Sequence, residues 1–173
     1  MGAGHVQRKD PRMAQFVDER VDVGQAIVDY EDKVFDDHEA EPGQKAYIFI
    51  HSVPFESSVS VVNLLTATRI RRKGFDTNIV LFGPGSLIAS ATRGFPKVGD
   101  EAFPGNMNYN RQLQTFMDEG GKVFACRFSA AALYGMRESD MLKGVKPIHP
   151  RDVLDAALTA WKAGAFVLNT WNL

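Results

Sequence analysis

Hydrophobic positions along the chain fall into short unbroken runs separated by longer, amphipathic stretches. The runs are Lys45-Ala-Tyr-Ile-Phe-Ile-His51, Thr77-Asn-Ile-Val-Leu-Phe82, Lys122-Val-Phe-Ala-Cys-Arg127 and Ala165-Phe-Val-Leu-Asn169. A strand with one wet face alternates apolar and polar residues. These runs do not alternate, so they predict strands buried on both faces. After the first run, Ser57 or Ser58 can cap a helix reaching about Lys73, with Val59, Val62, Leu65 and Ile70 turned inward and Gly74 as its stop. A second helix is predicted from about Met107 to Glu119, ended by Gly120-Gly121. A short one follows over Ala130–Tyr134 with Ser129 as its cap. Pro150 opens the last helix at a position where its missing N–H costs nothing, and Gly164 stops that helix after Ala163.

Strands alternating with helices make βαβ units. The fold expected is therefore α/β in three layers, a mainly parallel sheet of about five strands flanked by helices. Ligands of such sheets sit beyond the carboxyl ends of the strands. That rule points to His51, to Gly83–Gly85 and to Cys126–Ser129, three successive strand ends. Residues 84–105 hold four glycines and three prolines. They predict a long surface excursion with a short helix near Leu87–Ala91, and a long loop in a compact domain is often functional.

Charge adds a division that the apolar pattern does not show. The net charge of −1 conceals five Lys/Arg and eleven Asp/Glu in residues 1–43, against fifteen and ten in residues 44–173. Glu41-Pro42-Gly43 punctuates the change. Two units are expected, an acidic N-terminal arm over 1–43 and an α/β domain over 44–173. A chain of this charge does not read as a nucleic-acid binder. No apolar stretch approaches a membrane span and no secretion signal is visible, so a cytoplasmic protein is expected, with no membrane partner. The one cysteine excludes an internal disulfide.

That cysteine, Cys126, is the sharpest chemical candidate. At a strand end, ahead of a helix and beside Arg127, a thiol is stabilised as the nucleophilic thiolate; buried, it packs as a small inert hydrophobe. His51 is within reach of the same sheet edge and is the candidate base or anion ligand. Together Cys126, Arg127 and His51 are the candidate catalytic residues. Gly83, Gly85 and Ser86 allow a ligand close to the backbone, or form a plain turn. Ser129, Asn108 and Tyr109 complete the candidate ligand-binding set. The amides of Asn106-Met-Asn-Tyr-Asn110 fit a pocket wall or a helix cap equally well. The basic run Arg69-Ile-Arg71-Arg72-Lys73 suits a helix C-terminus or the docking of an acidic arm. Four scattered histidines and one cysteine match no zinc spacing, so no metal is expected, and no cofactor motif is present.

Residues 44–173 resemble the DsrE/DsrF-like family of small α/β domains. The likeness is carried by Gly121-Lys-Val-Phe-Ala-Cys126-Arg-Phe-Ser129-Ala130-Ala-Ala-Leu-Tyr-Gly135, by Ile79-Val-Leu-Phe82-Gly83 and by Ala165–Asn169. Gly83-Pro84-Gly85 and the ending Asn169-Thr-Trp171-Asn-Leu further resemble a branch described as nitrogen-starvation-response proteins. The resemblance implies a DsrE-like, flavodoxin-like topology and a homo-oligomer, trimeric or hexameric. It also implies a sulfur-carrying role at the position matching Cys126. Two functions stay open. One is an oligomer that binds a small metabolite in the strand-end pocket near Cys126. The other is a sulfur carrier or sulfurtransferase in which Cys126 forms a persulfide.

Overall fold

The computed structural model describes residues 35–52, 54, 59–91 and 109–170. Five strands form one sheet: β1 (Lys45–Ile50), β2 (Asp76–Leu81), β3 (Lys122–Cys126), β4 (Lys146–Ile148) and β5 (Phe166–Asn169). Every pairing is parallel and the spatial order is β4-β3-β2-β1-β5. The helices are α1 (Val59–Arg72), α2 (Tyr109–Asp118) and α3 (Pro150–Lys162). Every named pairing is the parallel one expected. The strand order is not flavodoxin-like, in which the second strand would lie outside the first. Here β1 to β4 step in one direction across the sheet, and α3 carries the chain back to place β5 beside β1.

Right-handed crossovers then dictate the layers. Connections stepping one way leave α1 and α2 on one face; the return crossover puts α3 on the other. Side chains divide accordingly. Ile48, Ile50, Ile79, Leu81, Val123 and Ala125 meet α1 and α2. Tyr47, Phe49, Val80, Phe82, Cys126 and Ile148 face α3, whose Ala160 is fully buried on them. The runs lack alternation because both faces are covered.

Three local expectations are corrected, and a fifth strand that no apolar run marked is added. Helix α1 turns Val61, Leu64, Ala67 and Ile70 inward and leaves Val59 and Val62 exposed, because its first turns carry apolar residues on more than one side. The chain after β2 does not leave the body at once. Gly83–Ala89 form a 3₁₀ helix whose Gly85–Ala89 are buried. Leu142 N donates to Ala89 O at 2.8 Å, and Ala91 N to Asp140 O at 2.7 Å. Ser129 is no cap: the chain is helical from Arg127, and Ser129–Leu133 form a π-type turn. Strand β4 carries no apolar run, yet pairs with β3 through Cys126↔Ile148. Residues 92–108, including most of the expected excursion, lie outside the described residues, as do residues 1–34 and the caps Ser57 and Ser58.

Candidate functional site

Parallel register brings two of the singled-out positions, His51 and Cys126, into one row. Ile50 pairs with Leu81, Leu81 with Ala125, and Cys126 with Ile148. One residue beyond the first two pairs, His51, Phe82 and Cys126 follow in order across the carboxyl edge. The His51 imidazole lies 4.9 Å from the Phe82 ring, between centroids. Neighbouring strands are about 4.8 Å apart, so His51 and Cys126, two strands removed, are separated by roughly 10 Å of sheet with Phe82 between them.

Cys126 is only 5 % exposed and packs with Phe82 and Ile148 under the α3 layer. Its neighbour Arg127 turns outward, and its Nε donates to Glu138 Oε1 at 2.5 Å, both side chains being half exposed. The guanidinium is therefore engaged by a carboxylate. The three candidate catalytic residues share an edge but do not form a hydrogen-bonded set.

The glycine pair has a clear geometric cause. A Cβ on Gly83, whose φ is +51°, would stand 2.5 Å from His51 Nε2. A Cβ on Gly85 would stand 2.1 Å from the Ile50 carbonyl oxygen. At Gly85 the 3₁₀ helix and the end of β1 are in backbone contact, whereas at Gly83 the His51 imidazole fills the space and the positive φ favours glycine. The His51 N–H donates to Thr170 Oγ1 at 2.8 Å, so the first strand end is also tied to the chain leaving β5.

Ser86 and Ser129 are buried and meet at 2.5 Å between hydroxyl oxygens. Ser129 Oγ donates to Cys126 O at 3.1 Å, which spends its single proton. Ser86 is therefore the donor to Ser129. The relay Ser86–Ser129–Cys126 O fastens the 3₁₀ helix to the end of β3. Its pairing was not legible in the sequence, since the two serines are 43 positions apart. Asn110 adds a further tie through Nδ2, to Ser90 O and Ile88 O.

Tyr109 is buried in the α1–α2 core, and burial pushes its phenol above the ordinary range. Asn108 lies outside the described residues. A groove of about 280 Å³ runs between α3 and the sheet, lined among others by Tyr47, Asn78, Phe124, Asp152 and Asp155. None of the sequence-predicted site residues lines it. Among the described residues, no group of three His, Cys, Asp or Glu could hold a metal, and no helix is long and apolar enough to cross a membrane.

A three-layer α/β protein with an all-parallel five-stranded sheet, carrying a thiol at the end of a central strand, is the class defined by these features. The chain belongs to the DsrE/DsrF-like family, whose model matches residues 44–163. Two solved structures share the fold. The ychN protein from E. coli superposes with a TM-score of 0.57 at 19% identity, covering 73% of this chain and 98% of that one. MTH1491 from Methanobacterium thermoautotrophicum gives 0.52 at 14% identity, with the same coverages of 73% and 98%. No curated protein sequence matches the chain. The family is linked to sulfur relay.

Proposed function

We propose that the protein binds a small metabolite at the carboxyl edge of the sheet, near Cys126, and works as a binding or regulatory oligomer. The observation that carries this reading is the arrangement around the thiol. Cys126 is 5 % exposed, Phe82 separates it from His51, and Arg127 is paired with Glu138. A nucleophile needs an accessible thiolate with a neighbouring base or cation; this edge instead offers a rigid, glycine-lined backbone wall fastened by the serine relay. Gly83, Gly85 and His51 are the binding residues of this reading, with the buried Ser86 and Ser129 holding them in place; of the remaining candidates, Asn108 lies outside the described residues and Tyr109 is buried in the α1–α2 core. The nitrogen-starvation context and a trimeric or hexameric assembly come from the family-branch resemblance.

The test is a metabolite screen by ligand-observed NMR on the full chain, repeated on Cys126→Ser. Binding that survives Cys126→Ser supports the reading. A ligand lost with the thiol would overturn it.

The family link to sulfur relay, with Cys126 at the matching strand end, supports a second reading as a sulfur carrier. In that step the Cys126 thiolate attacks the outer sulfur of a donor persulfide. A new S–S bond forms at Cys126 Sγ, the donor S–S bond breaks, and the donor leaves as a thiolate, with no net oxidation. Intact-mass measurement after treatment with a persulfide donor reads the 32 Da gain expected of one added sulfur (about the atomic mass of sulfur). An unchanged mass in the native protein removes this alternative.

A further inference from the structure

Among the described residues one helix covers the second face of the five-stranded sheet, and its cover is uneven. Helix α3 lays Val153, Ala156, Ala157 and Ala160 on the sheet. One flank, with Asp152, Asp155 and Thr159, borders the groove above β2 to β4. The opposite flank carries Leu154, Leu158 and Trp161, spaced i, i+4, i+7, and is turned toward β5. All three are exposed, Trp161 by 76%. On the same face of β5, paired with Tyr47, Val167 is exposed as well. The result is an apolar strip along β5, an edge strand of the sheet.

The described chain begins at the same end of the sheet as Trp161, on the α1 face, around the β5 edge from the strip. Ala40 N donates to Lys73 O at 2.8 Å, and Lys73 Nζ meets Asp37 at 2.8 Å, at the end of α1. The next residues, Gly74 and Phe75, lead to the start of β5 on that α1 face, where the Phe75 and Phe166 rings are 6.5 Å apart; Val167, one residue on, turns to the α3 face and the strip. Trp161 and Phe166 lie at this same end of the sheet, since α3 runs back against the strands. Phe35, the first described residue, is 82% exposed. Ahead of it are 34 residues that fall outside the family match. A dozen extended residues reach roughly 40 Å, about twice the width of this sheet at ~4.8 Å per strand.

Composition fits as well. Between residues 16 and 37 there are eight Asp/Glu and two Lys/Arg, alongside Phe16, Val21, Val23, Ile27, Val28 and Val34. The strip is bounded on α3 by the exposed Arg151 and Lys162, whose side chains form no ion pair among the described residues. The arm's one described ion pair to the core, Asp37 with Lys73, already has this polarity.

We propose that residues 16–34 of this same chain dock on the α3–β5 strip, covering Leu154, Leu158, Trp161 and Val167. The arm is thus an intramolecular cover for a face that the α/β domain leaves open.

Hydroxyl-radical footprinting of the full chain, read residue by residue by mass spectrometry, tests this directly. Trp161 is expected to oxidise several-fold more slowly in the native chain than in the full-length double variant Ile27→Asp/Val28→Asp. An unchanged circular dichroism spectrum identifies a folded variant. A second full-length variant, Val21→Asp/Val23→Asp, guards against one site being silent. Equal oxidation of Trp161 in all three chains overturns the proposal. So does protection that disappears on dilution to single copies, as measured by light scattering, because a second copy would then be the cover.

Discussion

Cys126 and His51 lie in the same row at the carboxyl edge of the sheet, two strands apart, and the Phe82 ring stands between them. Their expected places at strand ends on the same edge make them look like partners of a thiol–imidazole pair. The register denies them contact, and the thiol is closed in by Phe82, Ile148 and the α3 layer.

Alkylation of Cys126 by iodoacetamide in the native protein is accordingly expected to be slow and indifferent to His51. The variant His51→Ala should alter the rate less than twofold. Phe82→Ala opens the wall beside the sulfur and should raise it about tenfold or more, in line with the dependence of thiol reactivity on access. Time-resolved intact mass measures all three. A His51→Ala chain that reacts ten times more slowly would restore the imidazole as base.

Gly85→Ala should destabilise the fold by about 2–3 kcal/mol, the usual range for a forced overpacking. The new methyl would meet the Ile50 carbonyl oxygen at 2.1 Å, and backbone cannot swing aside as a side-chain tip can. Gly164→Ala is the control. Nothing lies within 4 Å of its added Cβ, and only its φ of +58° is strained, for about 1 kcal/mol. Urea denaturation of both variants separates the two causes, and equal losses would contradict the close approach.

The serine relay predicts non-additivity. Ser129→Ala removes the acceptor of the buried Ser86 hydroxyl and should cost about 1–3 kcal/mol. Adding Ser86→Ala removes the stranded donor, so the double variant should lose less than the sum of the singles by about 0.5–1.5 kcal/mol. A double-mutant cycle in denaturant that closes to zero would show that the two hydroxyls are not coupled.

Glu119 receives Arg72 on both carboxylate oxygens, with Nε to Oε2 at 2.8 Å and Nη2 to Oε1 at 2.5 Å. The hydrogen bonds from Arg72 hold its carboxyl below the ordinary range. A carboxyl whose folded value is depressed adds stability that is complete above its unfolded value and is lost as pH falls through the folded one. The window therefore opens near pH 4.5 and extends downward. Both side chains are partly solvated, which limits the effect to at most about 1 kcal/mol. Melting curves between pH 6 and pH 3 should fall less steeply for Arg72→Gln; an identical slope would show that the pair contributes nothing.

Much of this protein was determined by local chemistry. Unbroken apolar runs such as Lys45–Ile50 and Asp76–Leu81 could only be strands covered on both faces, because an exposed face would not repay its apolar residues. Gly74, Pro150 and Gly164 set helix ends through backbone conformations that act within a residue or two. Those signals are near-neighbour effects, and near neighbours are what a sequence displays. The remainder was decided by contacts between distant segments. The inward turn of α1 chose Val61 and Leu64 over Val59 and Val62, since both sets suit a helix and only the packed sheet distinguishes them. Strand β4, three residues with a central proline, exists because β3 offers an open edge. Ser129 bonds to Ser86 and to Cys126 O because the 3₁₀ helix is folded back onto the β3 end. The strand order was settled by the direction of each crossover, and that order placed Phe82 between a histidine and a cysteine that the sequence alone would pair.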